Sequence, residues 1–382
     1  MREAVIVEAV RTPMGKRKGL LQHIRPDDLA AIVLKEVVNR ANISADLVED
    51  VIMGCVTQSG EQAGDIARVA ALIAGFPDTV PGTTIDRQCG SSQQAIHFAA
   101  QAILSGDMDI VIAGGVESMS RVQMGSNYQG ASLSENLTKQ YEIIHQGLSA
   151  ERIVDKWEMS REELDQFSLE SHLKAVQAQK EGRFKREIVK VEVTLPDGSV
   201  VTVHDDEGPR PDTTIEKLSS LNPVFKKDGS IHAGNSSQIS DGAGAVLIMS
   251  RERAEQLGLK PKFKILTRVV VGSDPTLMLT APIPATVKAL EKSGLAIDEI
   301  DIFEVNEAFS SVPLAWLKET GADASKLNPN GGAIALGHPL GASGVRLMIT
   351  MMHELERTGG RYGLQTMCEG HGMANATIIE RL

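Results

Sequence analysis

The chain has 382 residues, a net charge of −11 and a pI near 5.4. This length predicts about two or three domains, at roughly 100 to 200 residues each. An acidic chain lacks the general basic character that binds phosphates, so we expect no nucleic-acid partner. The sequence has no stretch of about 18 apolar residues and no signal-peptide pattern, so we expect a soluble, cytoplasmic protein without membrane association.

The cysteine content favours a reducing compartment. The chain has 3 cysteines, an odd number, which argues against a disulfide framework. No CxxC pair and no HExxH motif is present, so we expect no metal site.

Short apolar runs alternate with longer amphipathic stretches at both ends of the chain, a pattern typical of an α/β fold. In the first part, the pattern predicts strands at 4–10, 48–54 and 110–113 and helices at 26–41 and 90–105. In the last third, it predicts strands at 262–270, 300–305 and 376–380 and helices at 283–293 and 341–358. Residues 43–52 resemble residues 295–302, which indicates duplicated halves with Cys89 and His338 at equivalent positions.

The segment from about 119 to 242 differs in composition and predicts an insertion over one face of this core. It contains a helix at 161–181 that begins with a capping box of Ser160 and Glu163. Two apolar stripes on nearly opposite sides of this helix predict packing on both sides.

Cys89 directly precedes the apolar helix at 90–105. The free N–H groups and positive dipole end of a helix N-terminus lower the pKa of a nearby thiol, which favours a nucleophilic thiolate. A structural cysteine is the alternative, because free cysteines are often buried. Cys55 lacks this setting and is expected in the core.

His338 lies in a glycine-rich segment at 328–344 that precedes a helix. Glycines allow close approach of backbone to a ligand, and a neutral imidazole there can accept a thiol proton. An ordinary loop histidine fits this segment equally well.

Cys368 follows a strand-like run at 364–367 and precedes Gly370 and Gly372. A second thiol can deprotonate a carbon acid, and backbone N–H groups of a glycine turn can stabilise an oxyanion. A structural cysteine is the alternative and, for this segment taken alone, the more usual role. Asn306 and Glu307 follow the strand at 300–305, where α/β sheets tend to present functional groups, although either residue can also cap the next helix. The small polar run at 235–243 either accepts a polar ligand chain or forms turns.

Taken together, these motifs resemble the thiolases, the family of acetyl-CoA acetyltransferases and 3-ketoacyl-CoA thiolases. The resemblance covers essentially the whole chain, in the family's order. The matching segments are Cys89–Ser91, Gly114–Ser120, Asn235–Ala243, Asn306–Phe309, Gly337–Pro339 and Cys368–Gly372.

The resemblance implies a duplicated αβαβα five-layer core, with five strands in each half and an inserted loop domain that binds coenzyme A. The corresponding domains are an N-terminal half at 1–118, a loop domain at 119–249 that partly returns to the N-terminal half, and a C-terminal half at 250–382. The family also implies a homodimer or homotetramer, with acyl-CoA and coenzyme A as substrates and no covalently bound cofactor.

The resemblance also implies residue roles. Cys89 matches the acylated nucleophile, His338 the base that activates it, and Cys368 the acid/base at the α-carbon of the second acyl-CoA. Asn306 matches the residue that holds a water in the oxyanion hole shared with His338, and the N–H groups of Cys89 and Gly370 match the second hole. The residues matching the coenzyme A and acyl site are Ser237, Phe225, Phe309, Arg210 and His145.

The implied reaction is a ping-pong acyl transfer through an acyl-Cys89 intermediate. It runs as condensation of two acyl-CoA molecules or as thiolysis of a 3-ketoacyl-CoA. Residues 54–62 and 88–94 differ from the biosynthetic pattern and are similar to a bacterial branch that includes steroid side-chain thiolases, so a degradative enzyme for longer or bulky chains is the alternative. Cys368 argues against a ketoacyl synthase, and the presence of both Cys89 and His338 argues against a non-catalytic lipid-binding protein.

Overall fold

The computed structural model describes residues 2–382. The strands are β1 (Ala4–Arg11), β2 (Gly15–Lys16), β3 (Asp50–Gly54), β4 (Gly82–Ile85), β5 (Ile110–Ser118), β6 (Val191–Thr194), β7 (Val200–Val203), β8 (Ser240–Ser250), β9 (Phe263–Gly272), β10 (Ile302–Val305), β11 (Tyr362–Glu369) and β12 (Met373–Arg381). The helices are α1 (Pro26–Ala41), α2 (Ile66–Ile73), α3 (Ser91–Ser105), α4 (Glu135–Thr138), α5 (Gln146–Lys156), α6 (Arg161–Glu181), α7 (Ile215–Ser219), α8 (Arg251–Gln256), α9 (Pro282–Ser293), α10 (Ser311–Thr320), α11 (Ala333–Leu336) and α12 (Ser343–Thr358).

Two sheets of like topology form the core. The first has the order β4-β3-β5-β8-β1 and the second the order β10-β11-β12-β9. In the first sheet β3 pairs in parallel with both β4 and β5, and in the second sheet β10 pairs in parallel with β11. The remaining pairings in both sheets are antiparallel. The sheets meet through a short pairing of Val5 and Ile6 with Lys264 and Phe263. The predicted duplication is therefore present in the fold.

The apolar faces of the helices determine how helices and sheets stack in layers. Helices α3 and α12 pack between the two sheets, and their buried residues share one core cluster with strands of both halves. Helices α1 and α2 cover the outer face of the first sheet, and α9 and α10 cover the outer face of the second. This gives the predicted αβαβα order.

The second sheet has four strands instead of the five expected. At the place equivalent to β4, only a single parallel bridge joins Phe303 and Leu327. The chain there is held by Asn328, whose side chain accepts a bond from Val305 N and donates one to Val305 O, both at 2.9 Å. A side chain thus makes the edge hydrogen bonds that a fifth strand would make.

The long insertion lies between β5 and β8, at the position where the second half has only the tight turn Gly370–Gly372. Part of the insertion returns to the first half, because Val191, Val193 and Val203 of the β6–β7 hairpin join the core under α1. None of the helices in residues 2–382 combines the length and the apolar character needed to cross a membrane.

The capping box of α6 is confirmed, with Ser160 and Glu163 bonding reciprocally. The prediction that α6 packs on two sides is wrong for this chain. Ala175 and Ala178 are buried against α11, but Leu173 on the other side is 51% exposed. Leu169 and Val176 are only partly covered.

Candidate active site

Cys89, His338 and Cys368 line one cavity of about 540 Å³. Cys89 precedes α3 in the first half, and His338 precedes α12 at the equivalent place in the second half. Cys368 lies near the end of β11, beside the glycine turn. All three side chains are at most 7% exposed. The fold therefore brings together the three residues that the sequence singled out.

Glycine contacts set the distance between the two halves at this point. A Cβ on Gly344, in the first turn of α12, would lie 2.3 Å from the backbone nitrogen of Gln93 in α3. The N–H of Val345 donates to Ser92 Oγ at 3.0 Å across the same contact. Helices α3 and α12 thus touch nearly backbone to backbone directly behind Cys89 and His338.

The tautomer of His338 is fixed by Ser343. Ser343 Oγ donates to the carbonyl oxygen of Pro339 at 2.8 Å, so its single proton is used. The same oxygen lies 2.5 Å from His338 Nδ1 and must accept from it. The proton therefore sits on Nδ1, and Nε2 carries the lone pair that a general base needs.

Asn306 lies beside this lone pair. Its Nδ2 is 3.4 Å from His338 Nε2, and its Oδ1 is buried without a hydrogen-bond partner within residues 2–382. Burial, helped by the positive charge of Arg346, lowers the pKa of His338 to about 3. The ring is therefore neutral at physiological pH.

Both thiols are protonated in the resting site. Burial raises the pKa of Cys89 well above its usual value, and nearby Cys368 and Glu369 add to this shift. Burial likewise raises the pKa of Cys368 to about 12. The expectation that the helix N-terminus lowers the pKa of Cys89 is wrong, because desolvation outweighs the dipole and α3 begins two residues later, at Ser91.

The backbone around both cysteines leaves N–H groups free. Within residues 2–382, no hydrogen bond from the N–H of Cys89 or Gly370 to a carbonyl group of another loop is found, and the N–H of Cys89 lies close to its own thiol. Gln88 has φ 50°, a strained conformation for a residue with a side chain, and directly precedes Cys89. The local geometry therefore provides two unused donors beside the thiols.

Two buried glutamates, for which the sequence analysis found no such role, anchor the loops of the site. Glu117 accepts hydrogen bonds from the N–H groups of Val56, Thr57 and Gly341 at 2.9–3.0 Å. It therefore ties the His338 segment to β5. Its position in the first sheet corresponds to that of Glu369 in the second.

Glu307 has the matching role on the other side. It accepts from Ser171 Oγ at 2.7 Å, from Asn328 Nδ2 at 2.9 Å and from Ile334 N at 3.1 Å. Glu307 therefore fastens α6 and the glycine-rich segment before His338 to the end of β10. Neither Asn306 nor Glu307 caps α10, whose N-cap is Ser310.

An aromatic row forms one wall of the cavity. The His145 and Phe225 rings stack with centroids 5.1 Å apart, and Phe225 meets Phe309 edge-on at 6.0 Å. His145 also caps α5, because its Nδ1 accepts from Gly147 N at 3.1 Å. Ser237 also lines the cavity, next to Phe309, and its N–H donates to the carbonyl oxygen of Ala308 at 2.9 Å.

Arg210 does not line this cavity. It lies with His172 and Lys217 at a separate depression of about 190 Å³. Gln238 lines both the depression and the cavity, so the two are neighbours.

Comparison with known proteins identifies the family. The family model for the thiolase N-terminal domain matches residues 4–252, and the model for the thiolase C-terminal domain matches residues 259–381. The chain belongs to the thiolase family. It is an enzyme, an acyltransferase with thiolase activity.

Individual relatives agree with this assignment. The chain is 50% identical to a steroid 3-ketoacyl-CoA thiolase of Mycobacterium tuberculosis, covering 100% of this chain and 95% of that protein. It is 44% identical to a 3-ketoacyl-CoA thiolase of Bacillus subtilis over the full length of both. A crystal structure of the Bacillus anthracis acetyl-CoA acetyltransferase superposes with a TM-score of 0.93 at 40% identity, covering 100% of this chain and 99% of that one.

Proposed function

We propose that this thiolase works through an acyl-Cys89 intermediate, with His338 as the base and Cys368 as the second acid/base. The observation that carries the proposal is the convergence of these three side chains on one buried cavity from separate elements of both halves. Cavities with a few convergent polar groups in apolar walls are the usual place of catalysis.

In the first half-reaction, Cys89 Sγ attacks the thioester carbonyl of an acyl-CoA while His338 Nε2 takes the thiol proton. The tetrahedral intermediate collapses, the C–S bond to coenzyme A breaks, and the coenzyme A sulfur leaves with the proton from His338. General-base transfer at the moment of attack suits a thiol whose pKa burial keeps high. The Ser343 contact supports this role because it keeps Nε2 unprotonated.

In the second half-reaction, the thiol of Cys368 gives its proton to the neutral His338, and the resulting thiolate removes a proton from the α-carbon of a second acyl-CoA. The carbanion attacks the acyl-Cys89 thioester, a C–C bond forms, and the C–S bond to Cys89 breaks. The leaving Cys89 sulfur takes the proton from His338, so both cysteines end as thiols. Run in reverse, coenzyme A cleaves a 3-ketoacyl-CoA. Developing oxyanions would be stabilised by the unused N–H groups of Cys89 and Gly370 and by the pair of Asn306 and His338.

The cavity walls support binding of coenzyme A and its acyl chain. Phe225 and Phe309 offer apolar faces to a pantetheine chain, and Ser237 offers a hydroxyl beside them. His145 lies at the end of this row, next to the space for the acyl group. Arg210, in the adjoining depression, provides a positive charge for the nucleotide phosphates. On this proposal the segment 119–249 is the loop domain that holds coenzyme A.

We propose a degradative preference for 3-ketoacyl-CoA chains larger than acetoacetyl-CoA. The support is the similarity to the mycobacterial steroid 3-ketoacyl-CoA thiolase, together with the shape of the cavity mouth. Met119, Met124 and Tyr128 border the cavity there, and Met124 and Tyr128 are about half exposed. Flexible thioethers and a ring at an open mouth can accommodate a bulky apolar chain.

We also propose a homodimer or homotetramer in the cytoplasm. Support for self-association comes from β4, an edge strand with one unpaired side, and from Leu72 and Ile73 on the adjacent α2, each 47% exposed. Open sheet edges beside apolar side chains favour pairing with another chain. Light scattering of the purified protein gives the oligomeric state.

Thiolysis of purified protein tests the catalytic proposal. Loss of the enolate absorbance is followed with acetoacetyl-CoA and with a bulky 3-ketoacyl-CoA, for the wild type and Cys89→Ala. We expect cleavage of both substrates, a higher kcat/KM for the bulky one, and loss of activity in the variant. Activity on acetoacetyl-CoA alone would indicate an acetyl-CoA acetyltransferase, and full activity of Cys89→Ala would overturn the assigned nucleophile.

A further inference from the structure

Glu369 is a buried carboxyl group between the two catalytic cysteines. It follows Cys368 at the end of β11 and is 0% exposed. Within residues 2–382 neither of its oxygens makes a hydrogen bond of regular geometry, although the backbone N–H of Asn375 lies close enough to lower its pKa slightly. A Cβ on Gly90, the residue after Cys89, would lie 1.9 Å from Glu369 Oε1, so the carboxyl group packs directly against the Gly90 backbone.

Asn375 presents a second partnerless oxygen at the same spot. Its Oδ1 would lie 3.1 Å from the same added Cβ on Gly90. The other side of this amide meets Gln94 and His97: Nδ2 donates to Gln94 Oε1 at 3.1 Å and lies 3.2 Å from His97 Nδ1. His97 Nε2 in turn faces Thr377 Oγ1 at 2.7 Å.

Two acceptor oxygens side by side in a buried space are costly unless a proton lies between them. An ionised Glu369 has no proton to offer, whereas a protonated Glu369 has one donor and can bond Asn375 Oδ1. We propose that Glu369 is a neutral carboxylic acid in the working enzyme and that it positions the Cys89 and Cys368 loops without adding a negative charge beside their thiols. This inference rests on the proposed roles of those two cysteines.

Several charged or titratable groups face this carboxyl. They are Cys89 and Arg87 from the loop before α3 and Cys368 from β11, while His97 from α3 lies beyond the Asn375 amide. Burial raises the pKa of Glu369 to about 8, although the positive charge of Arg87 opposes the shift. Burial lowers the pKa of His97 to about 3, so this ring stays neutral and offers no proton to Glu369.

Ionisation of Glu369 would affect both thiols in the same direction. A negative charge nearby disfavours a thiolate and raises the thiol pKa. The neutral acid therefore lets Cys89 or Cys368 become anionic during turnover, and its loss of a proton at high pH would oppose both steps.

The test compares the pH dependence of Cys89 alkylation by iodoacetamide in the wild type and in Glu369→Gln, with peptide mass spectrometry to separate Cys89 from Cys368. Gln is nearly isosteric, stays neutral and can donate to Asn375. We expect equal rates below about pH 7 and a wild-type rate that falls behind above the Glu369 pKa of about 8. The wild-type curve should then lie roughly two pH units higher, the effect of a unit charge about 5 Å away at an effective dielectric constant near 20.

Alkylation curves of the wild type and Glu369→Gln that coincide at every pH, or that differ by the same factor at pH 6 and pH 9, would overturn the proposal.

Glu380→Gln on the same hairpin is the matched control and should leave the alkylation curve unchanged. If Glu369→Gln does not fold, difference infrared spectroscopy of ¹³C-glutamate-labelled protein carrying Glu304→Gln decides, because Glu304 is the other glutamate whose pKa burial raises to about 8. A protonated-acid carbonyl band that disappears above about pH 8 supports the proposal, and absence of the band at pH 7 overturns it. Full activity of Cys89→Ala would instead refute the catalytic assignment and leave these readouts of Glu369 standing.

Discussion

Ser343 Oγ lies 2.5 Å from His338 Nδ1 and 2.8 Å from the carbonyl oxygen of Pro339. This serine accepts from the ring and donates to the backbone, so it determines which ring nitrogen is basic. The residue occupies the first turn of α12, five positions after the histidine. The proposed base is therefore oriented by the helix that it precedes.

Replacing Ser343 by Ala should impair the chemical step more than binding. Without the acceptor at Nδ1, the ring loses both its preferred tautomer and its orientation. We expect kcat of thiolysis to fall by about tenfold or more, a part of what a general base contributes, with KM nearly unchanged. Ser293→Ala removes a similar hydroxyl-to-backbone bond on α9 and should have no effect on kcat. A Ser343→Ala enzyme with wild-type kcat would refute the role of this contact.

Alkylation of Cys89 between pH 5 and pH 7.5 should show no inflection near 6.5. His338 has a pKa of about 3 and does not titrate in this range, while the pKa of Cys89 lies far above it. The rate should therefore rise about tenfold per pH unit with the thiolate fraction. A plateau that begins near pH 6.5 would instead indicate a thiolate–imidazolium pair in the free enzyme.

Replacing Gly344 by Ala should separate the two halves of the site. The added Cβ would lie 2.3 Å from Gln93 N, a backbone atom that cannot move without shifting α3. We expect about 1–3 kcal/mol less stability in urea unfolding, typical of overpacking, and a reduced kcat. Gly272→Ala, where nothing lies within 4 Å, is the control and should leave both unchanged.

Replacing Asp206 by Ala should destabilise the attachment of the insertion. Arg11 in β1 is fully buried and bonds Asp206 at 2.6 and 2.9 Å and Glu187 at 2.7 Å. Removing one partner leaves excess positive charge in the interior, which costs about 3 kcal/mol. Guanidinium unfolding measures the loss, and the exposed neighbour substitution Asp205→Ala should cost almost nothing. Equal stability of the two variants would contradict the prediction.

Replacing Glu304 by Gln should change how stability depends on pH. Burial raises the pKa of Glu304 to about 8, against 4.5 when exposed, so the folded protein holds this proton more tightly than the unfolded chain. Wild-type stability should thus fall as pH rises from about 4.5 to about 8, relative to the variant. Denaturant titrations at pH 5 and pH 8.5 measure this difference, and parallel stabilities would refute it.

The repeated order of strands and helices could be predicted from the sequence because apolar periodicity records which faces are buried. Helix α1 begins and ends where predicted, and the equivalence of Cys89 and His338 follows from the same periodicity. Strand β4 was not predicted, because Gly82–Ile85 is short, only partly buried and without alternation. The fifth strand expected in the second half is replaced by side-chain bonds of Asn328, which no periodicity encodes.

The candidate site was predictable in its reactive residues and not in its supporting ones. Cys89, His338 and Cys368 each stand out because glycines surround them. Ser343 contacts His338, and Glu369 packs against Gly90 and Asn375. These contacts are visible in the folded structure and have no signature in the sequence. The pKa of Cys89 is raised rather than lowered as expected. The local sequence indicates a helix N-terminus, but it does not show that the folded protein removes the thiol from solvent.

The backbone contact between α3 and α12 also bears on how the enzyme becomes active during folding. Cys89 belongs to one half and His338 to the other. Gly344 permits close contact between α3 and α12, and this contact forms when both halves are folded and docked. Each half can complete its own sheet without bringing together Cys89 and His338, the proposed nucleophile and base. During refolding, we therefore expect thiolysis to return after helical circular dichroism, so that activity reports the docking of the two halves.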